Sequence, residues 1–212
     1  MVKNSFNRRI IAVFVLFFHV ALYAQQWSDQ LKPARLMVGA DYGAFRISLR
    51  EFEQLYVNRW GLGMGAVAGI RVFGAYYLTA KYGYFNQSGR VDQNLTDQLD
   101  QARWREQWYK VGARIHPLPG GKWASYYGFG LALYDIKESE GQSVFLLKNS
   151  KKYQDVGSGF YIEAGIEHFL QPKTALYLDA EVASGGVRGR TGFEAMSIGG
   201  WRFAAGVSFW PF

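Results

Sequence analysis

Ten charged residues recur between glycines and other small residues at alternating positions of the chain, and they are its clearest candidates for chemistry. Glu163 and Glu167, for example, lie on either side of Gly165 at a spacing of two residues. Because buried charges must be paired to survive desolvation, five acids and five bases on one enclosed face predict a structural salt-bridge network. The alternative is that the balance is accidental and the charges face solvent. The predicted network contains Asp41, Arg71, Lys81, Lys110, Arg114, Glu163, Glu167, Asp179, Glu181 and Arg202.

Groups that typically catalyse reactions are sparse. After residue 24 the histidines are His116 and His168, each next to a predicted short turn, and we expect both to face water at one rim. The chain has no cysteine and no histidine spacing typical of a zinc site. The glycine-rich residues 61–69 alternate strictly and lack the strand-to-helix context of a nucleotide-binding loop. The sequence therefore predicts no catalytic residue, no metal site and no cofactor.

The spacing of the charged residues requires β-strands, because successive side chains of a strand point to opposite faces. At the end of the chain, Trp201, Phe203 and Val207 fall on one face, whereas Arg202 and Gly206 fall on the other. The same alternation predicts eight strands. Their approximate ranges are 34–48, 60–73, 75–86, 103–116, 123–137, 156–170, 174–184 and 196–212.

The links between these strands alternate in length. Residues 74–75, 117–122 and 171–173 are short and rich in turn formers, whereas 49–59, 87–102, 138–155 and 185–197 are longer and polar. Strands longer than the usual five or six residues suit a tilted membrane crossing of about 9–11 residues. We therefore predict an all-β fold, an eight-stranded antiparallel up-and-down transmembrane β-barrel.

The orientation of the barrel follows from the composition of its two faces. One face carries large apolar residues, and the other is mostly glycine with the balanced charges. Glycine weakens a solvent-facing strand but suits a crowded interior, so we expect the apolar face to contact lipid. Aromatic residues near strand ends are predicted to form interfacial girdles. These are Trp60, Tyr82, Tyr84, Trp104, Trp123, Tyr126, Tyr127, Phe169, Trp201 and Trp210.

The first residues predict export. Lys3, Arg8 and Arg9 precede an apolar stretch that ends near Ala24, a pattern typical of a cleavable signal peptide; the alternative is an uncleaved anchor helix. We assign residues 1–24 to the signal peptide, 25–33 to a periplasmic lead-in and 34–212 to the barrel. Cleavage removes those three bases and no acid, so the formal charge falls from +7 to +4. This charge, without a dense basic stripe, predicts no nucleic-acid partner.

With these features the chain resembles small outer-membrane β-barrels of the OmpA/OmpX type. The resemblance implies a location in the outer membrane of a Gram-negative bacterium and help from periplasmic chaperones and the barrel assembly machinery during biogenesis. It also implies a C-terminal assembly signal, for which Trp210 and Phe212 fit. The other apolar residues of the last strand, such as Val207 and Phe209, lie one position out of that pattern.

Three functions remain open at this point. The first is a structural or interaction barrel with a filled lumen, whose loops bind a partner and whose surroundings are outer-membrane lipids and lipopolysaccharide. The second is a lipid-modifying enzyme, and the third is a narrow pore. In the loops, residues 51–56 and 96–105 could each form a helical turn. A basic cluster of Lys148, Lys151 and Lys152 would contact lipopolysaccharide or simply be solvated.

Overall fold

The computed structural model describes residues 35–49, 52, 56, 58–91, 100–117, 122–139, 152–187 and 196–211. The predicted signal peptide and lead-in, Lys148, Lys151 and Phe212 lie outside these residues. Within them, no helix is long and apolar enough to span a membrane.

Eight antiparallel strands form one closed barrel, as the alternation predicts. The strands are β1 (Leu36–Ile47), β2 (Trp60–Phe73), β3 (Tyr76–Val91), β4 (Asp100–Ile115), β5 (Trp123–Ser139), β6 (Lys152–Gln171), β7 (Thr174–Val187) and β8 (Met196–Phe209). Each strand pairs with its neighbour in the chain, and β1 pairs with β8 to close the sheet. The up-and-down topology is therefore confirmed, with one short-turn end and one long-loop end.

The strands at the long-loop end extend further than the alternation indicates. β3 continues to Val91 and β4 begins at Asp100, so these two strands remain paired above the apolar segment. The predicted helical turn over residues 96–105 is wrong for 100–105, because these residues continue the hydrogen-bonded ladder with β3. In the other predicted turn, Phe52 and Tyr56 are helical.

The large apolar side chains point outward, which confirms the predicted orientation. Leu131 is 73% exposed, Leu178 58% and Phe203 47%. Large apolar residues on all eight strands are exposed in this way, whereas the alternate positions are buried. A belt of this kind is far larger than the apolar patches of water-soluble monomers and is typical of a lipid-facing surface.

The inner face is more aromatic than the sequence pattern indicates. Its glycines make room for rings on neighbouring strands: a Cβ at Gly83 would lie 1.9 Å from Nε1 of Trp108, and one at Gly165 would lie 2.2 Å from Cζ of Tyr126. Three residues assigned to the outer girdles, namely Trp104, Tyr126 and Trp210, are instead buried, and a fourth, Phe169, is half-buried against Trp210 with ring centroids 6.2 Å apart. Position near a strand end does not reveal the face, and the parity of these residues places them with the lumen set.

Candidate functional site

The middle of the lumen contains a buried lysine surrounded by three carboxylates. Lys81 on β3 points across the barrel, and its Nζ lies 2.6 Å from Oε2 of Glu163, 2.7 Å from Oε2 of Glu181 and 3.5 Å from Oδ2 of Asp179. One oxygen from each carboxylate lies within 4.8 Å of the others. This spacing would suit a cation, and the lysine ammonium supplies the positive charge there.

Two further cations from β4 complete the pairing of these glutamates. Arg114 binds Glu163 through two hydrogen bonds, Nε to Oε1 at 3.0 Å and Nη2 to Oε2 at 3.1 Å, in the fork geometry that favours arginine–carboxylate pairs. Lys110 donates to Oε1 of Glu181. The guanidinium of Arg114 also lies 4.1 Å from the ring centroid of Tyr126. β4 is thereby tied to β6 and β7 through the lumen.

A fourth buried cation, Arg202 on β8, binds Asp41 on β1 and lies 3.9 Å from Asp179. Two tyrosine hydroxyls also donate to these aspartates: Tyr177 to Asp41 at 2.8 Å and Tyr126 to Asp179 at 2.8 Å. Four buried cations therefore face four buried carboxylates, and we call these eight residues the central ion-pair layer: Lys81, Lys110, Arg114, Arg202, Asp41, Glu163, Asp179 and Glu181. Pairing of this kind offsets the desolvation that isolated charges would suffer in the barrel.

Above the ion-pair layer, aromatic side chains fill the long-loop end of the lumen. Phe45 contacts Phe85 and Trp108 with ring centroids 4.9 and 5.0 Å apart. Phe52, from the segment between β1 and β2, packs 5.5 Å from Trp104 and stacks on Tyr56 at 4.2 Å. These six residues, which we call the aromatic plug, are all buried: Phe45, Phe52, Tyr56, Phe85, Trp104 and Trp108.

Glu106 is a buried carboxylate that the sequence analysis did not single out. It lies beside the aromatic plug, where Nε1 of Trp104 donates to its Oε2 at 3.4 Å. Its Oε1 has no hydrogen-bond partner within the described part of the chain. Its even position on β4, in phase with Lys110 and Arg114, is the signal that could have placed it in the lumen.

The short-turn end of the lumen is closed by a second group of polar and aromatic residues. His116 and Ser208 bind the two oxygens of Glu167, with Nε2 to Oε2 at 2.8 Å and Oγ to Oε1 at 3.1 Å. Trp210 donates to Oγ of Ser208 at 3.1 Å, and its ring lies 4.7 Å from that of His116. The expectation that His116 faces water is wrong, because Glu167 and Trp210 cover it in the lumen. His168 is half-buried, with its ring 4.4 Å from Trp123.

The arrangement around Glu167 does not form a nucleophile and base. A serine nucleophile needs a hydrogen bond to the histidine that takes its proton. Here the hydrogen bonds recorded for Ser208 and His116 go to opposite oxygens of the same carboxylate, and both residues are buried. Among the described residues, this is where serine, histidine and acid meet, and the geometry serves to close the lumen.

The residues of the predicted network fall into two layers and one rim position. Eight of the ten meet in the central ion-pair layer, and Glu167 lies at the short-turn end with His116. Arg71 is half-buried at the same end, opposite Tyr77 in the β2–β3 register. Of the assembly-signal pair, Trp210 is buried in the lumen against Tyr77.

Fold and lumen together define the class: a small closed eight-stranded barrel of the outer-membrane type, with an apolar exterior and a filled interior. Among solved structures, the chain is similar to Neisserial surface protein A with a TM-score of 0.62 and 12% identity, over 85% of this chain and 99% of that one. It is also similar to the outer membrane protein OprG from Pseudomonas aeruginosa, with a TM-score of 0.51 and 11% identity, over 84% and 96%. No protein-family model and no curated protein sequence matches the chain.

Proposed function

We propose that the protein is a structural or interaction barrel of the Gram-negative outer membrane, with a lumen that does not conduct and loops that bind a partner. The observation that carries this proposal is the filling of the lumen at three levels. The aromatic plug, the central ion-pair layer and the cluster of Glu167, His116, Ser208 and Trp210 follow one another from the long-loop end to the short-turn end. A narrow pore would need a continuous polar path, and buried paired charges do not provide one.

The location rests on the exposed apolar belt and on the shared fold. An exterior of this kind needs lipid. The bilayer core holds no water to bind backbone N–H and C=O groups, and closure of the sheet pairs these groups between strands. On this proposal the short-turn end faces the periplasm and the long-loop end faces outward. Trp210 and Phe212 act as the assembly signal, read by the barrel assembly machinery after periplasmic chaperones have delivered the chain.

A lipid-modifying enzyme receives less support from the site. The catalytic groups of such a barrel must reach lipid, whereas His116 and Ser208 are buried near the short-turn end. Alanine replacement of His116 and His168 with an assay of lipid A modification tests this alternative, and a loss of turnover would favour it.

Two measurements test the proposal itself. The protein should fractionate with outer membranes and migrate faster on gels without heating, as folded barrels do. In planar bilayers the purified barrel should show no steady conductance. Stable open-channel currents would overturn the filled-lumen argument, and recovery of the folded protein in the soluble fraction would overturn the location.

A further inference from the structure

The apolar exterior ends at one register position on β3, β4 and β5. Tyr82, Tyr109 and Leu133 lie side by side there, and the two tyrosine rings are 5.4 Å apart. The next outward-facing residues toward the long loops are Tyr84, Gln107 and Asp135, followed by Asn86, Arg105 and Lys137. We call Tyr82, Tyr109 and Leu133 the aromatic row. The change from apolar to polar side chains beyond it marks the edge of the lipid-facing belt.

Three cations lie just beyond this edge, on the outside of the barrel. Arg105 pairs with Lys137 in the β4–β5 register, and Arg103 is two residues further along the same face of β4. We call Arg103, Arg105 and Lys137 the basic patch. The arginines are exposed, and the side chain of Lys137 is 40% exposed. All three are therefore available to a ligand at the level of lipid headgroups.

The surroundings of the basic patch hold its side chains against the barrel, and the one nearby carboxylate leaves a net positive charge. Lys137 Nζ lies 3.1 Å from Oδ2 of Asp135, whose other oxygen accepts a hydrogen bond from Gln154 at 3.1 Å. The guanidinium of Arg105 lies 5.9 Å from the ring centroid of Tyr84. Among the described outward-facing side chains at this end of β3–β6, Asp135 is the single carboxylate beside three cations.

On the opposite side of the barrel, the described outward-facing residues of β7, β8, β1 and β2 form no such patch at the matching level. There the register row contains Val182, Trp201, Arg46 and Trp60, so that one cation lies between two indoles. The strands β3–β6 also have 16, 16, 17 and 20 residues, whereas β1, β2, β7 and β8 have 12 to 14. The longer strands carry polar side chains beyond the lipid-facing belt on one side of the barrel.

We propose that the basic patch binds the phosphate groups of lipid A in the outer leaflet. The inference rests on the proposed outer-membrane location, since it requires the long-loop end to face outward. Guanidinium groups match phosphate oxygens in paired hydrogen bonds, and an ammonium adds a third positive charge. The adjacent aromatic row and apolar strands would hold the acyl chains of the same molecule, so that headgroup and chains are bound together.

Native mass spectrometry of the folded barrel in detergent tests the proposal with bisphosphorylated lipid A as the probe. The variant Arg103→Gln/Arg105→Gln/Lys137→Gln should bind lipid A at least about tenfold more weakly than the wild type, because three cations near the phosphates are lost. A matched control, Arg35→Gln/Lys122→Gln/Lys173→Gln, removes the same charge from the short-turn end and should bind as the wild type does. The gel shift without heating shows that each variant is folded.

Lipid A stripped of its phosphates should bind the wild type and the patch variant equally. Equal binding of intact lipid A by the wild type and the patch variant would overturn the proposal. An equal loss in the control would also overturn it, since net charge alone would then explain the binding. Displacement of lipid A by an equal concentration of inorganic phosphate would assign the patch to free phosphate instead. Failure of the wild type to fractionate with outer membranes would refute the location, which these binding results do not test.

Discussion

Replacing Lys81 with methionine removes the ammonium from the centre of the ion-pair layer while keeping a chain of similar length. Four carboxylates, Glu163, Glu181, Asp179 and Asp41, then share three cations, Arg114, Lys110 and Arg202, so the layer holds one uncompensated negative charge. Removing one partner of a buried ion pair typically costs about 3–5 kcal/mol. We expect the free energy of unfolding of Lys81→Met to fall by about that amount.

A second substitution tests whether the lost charge balance causes the lower stability of Lys81→Met. In Lys81→Met/Asp179→Asn the layer again holds equal numbers of cations and carboxylates, and the amide oxygen of the asparagine can still accept the hydrogen bond from Tyr126. The double variant should recover about 0.5–3 kcal/mol relative to Lys81→Met, which is the usual range for coupled neighbours. Asp179→Asn in the wild-type background should be destabilising, since it leaves the cations in excess.

The assay is urea unfolding of the barrel in lipid vesicles, followed by tryptophan fluorescence and by gel mobility without heating. Lys137→Met is the matched control, because it breaks an exposed ion pair, and exposed pairs contribute about 0–1 kcal/mol. The reasoning is refuted if Lys81→Met and Lys137→Met have the same small effect, or if Asp179→Asn makes Lys81→Met still less stable.

Three further variants test the exterior, the glycine spacing and the short-turn closure. Leu131→Arg should lower the free energy of unfolding in vesicles by about 2–4 kcal/mol, because it places a charge on the lipid face, whereas Gln154→Arg at the rim should lower it by about 1 kcal/mol or less. Equal effects in the vesicle titration would argue against a lipid-facing belt. Gly83→Ala should destabilise the barrel by about 1–3 kcal/mol, because the new methyl group would overlap the indole of Trp108. Gly69→Ala, whose methyl group meets the flexible side chain of Met37, should destabilise the barrel less in the same titration. Trp210→Ala should lower the free energy of unfolding by about 3–5 kcal/mol, because it empties the space between Tyr77 and His116. Trp210→Phe keeps a ring there and should show a smaller loss in urea unfolding. An unchanged stability of Trp210→Ala would contradict the packing.

The strands were predictable because their alternation is local. The segment after Trp201 separates large apolar residues from small and charged ones within a few positions, and a strand is the structure that turns such a period into two faces. Where large apolar side chains no longer alternate, as in residues 100–102, this signal disappears, and the predicted strand began only at residue 103. The structure nevertheless pairs these residues with β3.

The balance of charge on the inner face was also visible in the sequence, but not the pairing. Lys81 and Glu181 are 100 residues apart in the chain and on strands that are not neighbours in the sheet, so only closure of the barrel brings them together. Trp104, Tyr126 and Trp210 were predicted to lie outside because they are aromatic residues near strand ends. Residue type and position near an end do not reveal which face a side chain is on. Glu106 was not recognised at all, although its position on β4 has the lumen parity.

By itself, then, the sequence determined the number of strands, their order and the face that meets lipid, because these depend on a period of two and on turn residues close in the chain. Tertiary structure alone decided which charges pair, how the rings fill both ends of the lumen and which outward cations stand together at the edge of the belt. These depend on contacts between distant strands, and their geometry is set by closure and stagger of the sheet.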